Sequence, residues 1–475
     1  MRTTNPQISF ADLEFITQGV RLEPTLQAIA EFLDQHGAIV QRVRHDLVRG
    51  LKKPRTGRTG LTAPQVLRSL ILMRVKNWDY RELRERIADG FTLRHFTAFH
   101  SQRVPKHDAF NRAVNRLTPA TLQAVNDAVI RVAVNLGLED GTKLRVDTTV
   151  VQTDSHHPTD STLLWDSVRV VTRLVRKLAA LLPAGVGPFT NRTRSARRRM
   201  QEIQRMTARE RHRRQVRTYR ALIRVTEHVV TEARAVVNRT ARVRGLDPMM
   251  HATIDALRSE IARHCELGDR VISQTRRRVL HGEQVPTGEK LYSIFETHTD
   301  LIKRGKVLTP VEFGHKVFLA ESGRGLITQY RVLSGNPADQ LHVQPSLDRH
   351  KAIFDAAPSL YSSDRGFFNE ENLMTCRTAG VTLPCIPQAG GKRTTEREAL
   401  EKSRAFKQGQ RFRAGIEGRI SVLFRGRGMK RALVEGPTHF ELFVGAAVLA
   451  NNLLVIAELL RRQAQKATRR RRPAA

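Results

Sequence analysis

The sequence predicts an α/β fold: a mixed sheet with helices on its faces, an all-α N-terminal region, and a long helical insertion after the first core strand. Three observations predict it. The chain has helical rhythm up to about Asp140, it changes to period two at Lys143, and a basic helical stretch then separates this strand from a second strand-rich block. At 475 residues it exceeds one ordinary domain. The expected boundaries are 1–140 for the helical region, 141–161 for the first core strand, 162–290 for the basic insertion, 291–460 for the rest of the core and 461–475 for a basic tail.

The elements follow in order. Thr62 caps a helix with Pro64 in its first turn, and Val66, Leu67, Leu70 and Ile71 form its buried stripe. Asp79 and Glu82 have capping-box spacing, opening a helix over Tyr80–Ala88 that stops at Gly90. Thr118-Pro119 opens another, with Leu122, Val125, Val129, Val132 and Leu136 on one face and Gly137 at its end. Arg81, Arg84, Arg86, Arg94, Arg103 and Lys106 lie among these short helices, which fits a helix-turn-helix-like DNA reader or a plain helical bundle.

Lys143–Thr153 alternates and is β-branched, so it reads as a strand. Helices return from Thr162 to Val279, and Asn191–Arg224 holds 13 arginines against two glutamates, the composition of a solvated arm able to track phosphates. Gly314–Ala320 and Leu326–Leu333 read as neighbouring strands. Then come a Gly335-Asn336-Pro337 turn, a helix over Ala338–Phe354, a strand over Ser359–Ser363, a helix over Asn369–Ala379 and a strand over Val381–Pro387. A polar stretch over Gly390–Gly409 leads to a helix around Arg413–Phe424, and a long apolar helix runs over Thr438–Leu460 with Phe443, Ala447, Ala450 and Leu454 on one face. The tail with Arg469–Arg472 is expected to be disordered.

Composition narrows function. With 81 basic and 46 acidic residues the formal charge is +35, and 40% of residues are hydrophobic. Real cores are therefore available, and the surplus calls for a polyanionic partner, nucleic acid first and an anionic membrane surface second. Cys265, Cys376 and Cys385 are odd in number and form no CxxC pair, which argues for buried free thiols in a reducing compartment. The N-terminus lacks the apolar run of a secretory signal. Phe443–Leu460 carries Asn451, Asn452 and Glu458 and reads as a buried core helix, not a membrane span. The expectation is a cytoplasmic, nucleoid-associated protein.

Three carboxylates stand in distinctive places. Asp147 lies inside an apolar strand, where an acid needs a partner. Asp364 ends another strand before an Arg-Gly turn, where α/β sheets place ligands. Glu417 lies on the late helix. If the two strands pair, these groups can converge, and cations must then neutralise them. Mg²⁺, or Mn²⁺, suits such oxygens, and two such ions serve phosphodiester displacement. The plainer readings are a helix cap for Asp364 and a salt bridge from Glu417 to Arg413. His156 and His157 read as loop residues, Trp165 as a buried indole near a helix start, Lys316 as a strand lysine able to contact phosphate, and Asp339 as a cap on the following helix.

The runs LRVDTTVVQTDSHHPTDSTLLWDSVR, PVEFGHKVFLAES, YRVLSGNPADQ, LYSSDRGFFNEEN and RAGIEGRIS resemble the DDE transposases of bacterial insertion sequences, closest to the ISNCY-type group, over roughly Leu61 to Leu460. The resemblance implies an RNase H-like catalytic core in which Asp147, Asp364 and Glu417 hold two divalent metals. It implies an enzyme that binds transposon ends, cleaves them by hydrolysis and joins the freed 3′-hydroxyl to target DNA. The partners implied are double-stranded DNA, ends and target, and a second copy of the chain or more. Arg413 corresponds to the arginine of a Tyr-Arg-Glu-Lys signature, but Gln410 stands at the tyrosine position and Phe424 at the lysine position. Arg425 or Arg427 is a substitute for the lysine, and Arg419 and Lys316 are further candidates for DNA contact. The rival expectations are a non-catalytic nucleic-acid-binding protein and a nuclease of the same fold without strand transfer.

Overall fold

The structure, a computed structural model, describes residues 10–17, 21–52, 60–182, 185–243, 247–303 and 311–471. It is α/β, with a mixed sheet flanked by helices. The chain divides into two compact units, residues 1–153 with 315–475, and residues 154–314.

The first unit begins with eight helices: α1 (Phe10–Thr17), α2 (Pro24–Gln35), α3 (Gly37–Val48), α4 (Ala63–Lys76), α5 (Tyr80–Asp89), α6 (Phe91–Phe96), α7 (His107–Val114) and α8 (Pro119–Asn135). Three of them carry side-chain caps at the residues expected, although the box expected of Asp79 and Glu82 is one-sided. Thr62 and Gln65 form a reciprocal capping box, the Asp79 carboxylate accepts from the amides of Arg81 and Glu82, and Thr118 caps α8. Arg94, a candidate DNA contact, is instead internal: it donates to the carbonyls of Ala88, His100 and Gln102.

Strand β1 (Lys143–Thr153) follows with the predicted bounds. The second unit then contributes α9 (Asp160–Leu181), α10 (Thr193–Arg205), α11 (Ala208–Thr240), α12 (Pro248–Thr275) and β2 (Asp300–Lys303), which pairs antiparallel with residues 311–314 of β3 (Val311–Ser322). Its four long helices share a core of their own, including Leu164, Val171, Leu222, Val229, Ile261 and Cys265. The arginine-rich stretch is therefore not a fully solvated arm. Ala196, Met200, Ile203, Leu222 and Ile223 point inward while the guanidiniums face out, because residues three and four apart share a helix face.

The first unit resumes with β4 (Ile327–Val332), α13 (Val343–Phe354), β5 (Leu360–Ser362), α14 (Glu370–Thr378), β6 (Leu383–Cys385), α15 (Thr395–Lys402), α16 (Arg404–Gly426), β7 (Arg431–Ala432) and α17 (Pro437–Arg471). Its strands lie in the order β4-β3-β1-β5-β6. β4 is antiparallel to β3, β5 is parallel to β1, and β6 is parallel to β5; the short β7 pairs with the end of β1. Helix α16 starts at Arg404, earlier than the sequence suggests, and the polar stretch before it contains α15. β2 and β7, four and two residues long, carry too little alternation to be read from the sequence.

Period-two alternation sorts the side chains. Leu144, Val146, Phe318 and Ala320 pack with α13 and α14, whereas Val151, Val317 and Leu319 pack with α16 and α17. α17 is not amphipathic, as one apolar face would require. Leu442, Ala446, Leu449 and Leu453 join the core of the N-terminal helices, while Phe440, Val444, Ala447 and Val448 join the sheet. It is long and apolar enough to cross a membrane, yet 78% of that stretch is buried in the protein. Asn452 explains the polar interruption: its side chain binds both the amide and the carbonyl of Ile327 at 2.8 Å, securing the edge strand β4. The basic tail, expected to be disordered, continues α17 through Arg471; Arg472 lies outside the described residues. All three cysteines are free and buried.

Candidate active site

Parity along β1 places the first acid. Leu144 and Val146 face α13 and α14, so Arg145 and Asp147 face α16. Arg145 lies opposite Ser362 in the parallel pair, which brings Asp147 level with the residues that follow β5. Asp364 is two residues beyond Ser362, where the chain leaves the sheet into a turn of 3₁₀ helix. Its carboxylate accepts from the Gly366 amide at 2.9 Å, the capping role that a plain reading assigns it.

Helix α16 lies across these strand ends because two glycines permit close approach. A Cβ at Gly409 would collide with the Cys385 sulfur, and one at Gly415 with the Arg145 guanidinium. Ser362 donates to the Gly409 carbonyl at 2.9 Å, and burial pushes the Cys385 thiol up to about 12. A second tie is ionic. The buried Glu321 carboxylate takes Arg145 at 2.7 Å and Arg419 at 2.9 Å, and Arg145 also donates to the Phe412 carbonyl at 2.7 Å. A buried acid with two guanidiniums satisfies its lone pairs and fixes the helix against β1 and β3.

With α16 so placed, one side chain gathers the three carboxylates. Arg413 Nη2 lies 2.9 Å from Asp147 Oδ2 and 3.7 Å from Asp364 Oδ2, while Nη1 lies 3.0 Å from Glu417 Oε1. Exposure grades from Asp147, whose side chain is 12% exposed, through Asp364 at 38% to Glu417 at 67%. The expected salt bridge between Glu417 and Arg413 is thus present, but it is one arm of a shared interaction. Three acids around one guanidinium leave a formal excess of negative charge.

The donor set is oxygen only, which suits a hard divalent cation. Among the described residues no three acidic, histidine or cysteine groups stand as close as metal ligands do, so the carboxylates are closed on Arg413 and form no ready cage. Loading a cation requires the guanidinium to yield oxygens to it.

Asp339 joins this region, contrary to its expected role as a cap. Its Oδ1 accepts from Thr148 at 3.0 Å and pairs with Lys316 at 2.8 Å, and Lys316 also donates to the Pro337 carbonyl. The first turn after it is capped by no side chain. A Cβ at Gly366 would stand 3.0 Å from Asp364 Oδ1 and 3.2 Å from Asp339 Oδ2, so both acids flank that glycine. Its sequence signal was an acid following a turn, which also fits an ordinary cap.

The remaining candidates divide. Arg419 is engaged by Glu321 and Lys316 by Asp339. Arg427 donates to carbonyls at the end of α4, whereas Arg425 is exposed in the last turn of α16. Gln410 bonds the carbonyls of Ser363 and Cys385, and Phe424 packs on the core beneath the helix, so neither departure from the signature faces outward. In the second unit, His156 lies 3.3 Å from Asp166 and His157 stacks edge-on against Phe313. No family model, curated protein or solved structure matches the chain.

Proposed function

We propose that the chain is a DNA transposase of the DDE type, with an RNase H-like core, acting on the ends of a mobile element. The observation that carries the reading is the convergence of Asp147, Asp364 and Glu417 on Arg413. Residues 217 and 270 positions apart from the first acid arrive at one place through a parallel strand pair and a crossing helix, which chance salt bridges do not require. The mixed sheet supports the core assignment, with the antiparallel β3 and β4 on one side of β1 and the parallel β5 and β6 on the other.

In this reading Asp147, Asp364 and Glu417 hold two Mg²⁺ or Mn²⁺ ions. Those ions would activate the attacking oxygen and stabilise the leaving one. The chain's own contribution is placement. Asp147 is fixed by the strand, Asp364 by its turn, and Glu417 is the exposed arm. Arg413 keeps the acids from repelling one another until cations take over. Once released, its guanidinium suits a DNA phosphate, as does Arg425. The surplus of +35 binds double-stranded DNA, both ends and target, and joining two ends calls for at least a dimer. The setting proposed is the bacterial cytoplasm.

The test is a calorimetric titration with Mn²⁺. Wild type is expected to bind two ions, and Asp147→Ala to lose at least one. Equal heats from both proteins would favour a non-catalytic nucleic-acid-binding protein, the reading to which the inward-facing Gln410 and Phe424 lend weight.

A further inference from the structure

The helical unit of residues 154–314 carries a groove that the carboxylate site does not use. Trp165, Arg169, Thr172, Arg173, Arg176 and Lys177 line it along a single face of α9, together with Thr193 at the start of α10. Its volume of about 540 Å³ falls within the range of ligand clefts.

Two observations define what fits it, and a third describes its floor. The first is charge. Arg173, Arg176 and Lys177 are exposed, and none forms an ion pair with a carboxylate among the described residues. Arg169 is held by Asp166 at 2.8 Å and lies over the Phe295 ring, so its guanidinium is already engaged. Residues 165, 169, 173 and 177 recur every four positions, about 6 Å apart along the helix axis, which gives a track and not a point.

The second observation is the indole. Trp165 packs on the bundle core yet stays partly open to the groove. A half-open aromatic at the end of a cation track is the arrangement that stacks an unpaired base while its backbone runs over the charges. In a duplex the base faces are stacked on one another and closed to an indole.

The third is an orphan hydroxyl. Thr172 is 2% exposed and its Oγ1 has no hydrogen-bond partner. Other helical hydroxyls of this unit back-bond to the carbonyl four residues earlier: Ser167 to Leu163, Thr226 to Leu222, Thr240 to Val236 and Thr275 to Val271. Thr172 makes no such bond, and its hydroxyl is buried beneath the groove, so it marks an unsatisfied spot under the floor and not a contact to the ligand.

We propose that this groove binds a single strand of nucleic acid, with phosphates on Arg173, Arg176 and Lys177 and a base on Trp165. The proposal rests on nucleic acid being the partner and not on the carboxylates, so each can fail without the other.

Trp78 and Trp165 are the only two tryptophans, so Trp78→Phe leaves Trp165 as sole reporter. In that background the emission is expected to quench on adding an oligothymidylate of about 16 nucleotides, the upper end of single-strand site sizes. Arg173→Ala with Arg176→Ala is expected to weaken binding at least tenfold at low salt. It should also flatten the salt dependence by about 0.7 log unit for each phosphate no longer neutralised. Arg173→Lys with Arg176→Lys should retain binding, which separates lost charge from lost folding. Asp364→Asn should quench as wild type does, whatever its cleavage activity. No quenching, equal quenching by blunt duplex, or equal quenching by inorganic triphosphate would each overturn the assignment.

Discussion

Arg413 decides how the candidate site behaves at the scale of single residues. Among the described residues it is the cation that all three acids share, and only Asp147 of the three is well buried. Removing it takes an ion pair from the buried Asp147, while the exposed Glu417 loses little, because water screens it. Arg413→Ala is therefore expected to cost on the order of 1–3 kcal/mol in chelator. The protein should regain much of that in Mg²⁺, since the ion and the guanidinium compete for the same oxygens. Thermal unfolding with and without Mg²⁺ checks this, and a deficit that Mg²⁺ leaves untouched would contradict it. Asp147 was legible in the sequence because an acid in an apolar strand demands a partner. Asp364 was legible as a strand end, although its capping bond is equally present. Asp339 was not, because a carboxylate after a turn reveals nothing of the strand residue, Thr148, that it reaches through the fold.

At the scale of elements, α16 is the part on which the site depends. It carries both Arg413 and Glu417, and the small residues at Gly409 and Gly415 set its height above the sheet. Gly409→Val would press a branched side chain into the Cys385 sulfur, and overpacking of that kind costs roughly 1–3 kcal/mol. The expected outcome is lower thermal stability together with a smaller stabilisation by Mg²⁺. A variant as stable and as responsive as wild type would show that the close approach is not required. The helix itself was only half legible. Its apolar residues are spaced well from Ile416 onward, but its first turns are polar and carry no periodic signal. β1 was legible to the residue, since alternation and β-branching agree there. For α17 composition was informative and periodicity was not, because a helix buried on every side has no polar stripe.

For the whole molecule, the charge surplus takes a definite form. Both units hide apolar cores of their own, and the arginines of α10 and α11 lie outside one of them. The sequence shows a basic insertion but not that it folds as a bundle, because a stripe of few apolar residues among many arginines reads as solvated until its partners are known. In the proposed function, charge would concentrate DNA near the protein, and cutting it would fall to the carboxylates gathered by Arg413. The most direct test is cleavage, in Mg²⁺, of a DNA fragment spanning the protein's own coding sequence and its flanks. Wild type is expected to cut at the two borders. Asp364→Asn should bind the same fragment with undiminished affinity and cut it roughly 10³-fold more slowly or not at all. Cleavage by Asp364→Asn at the wild-type rate would contradict the account.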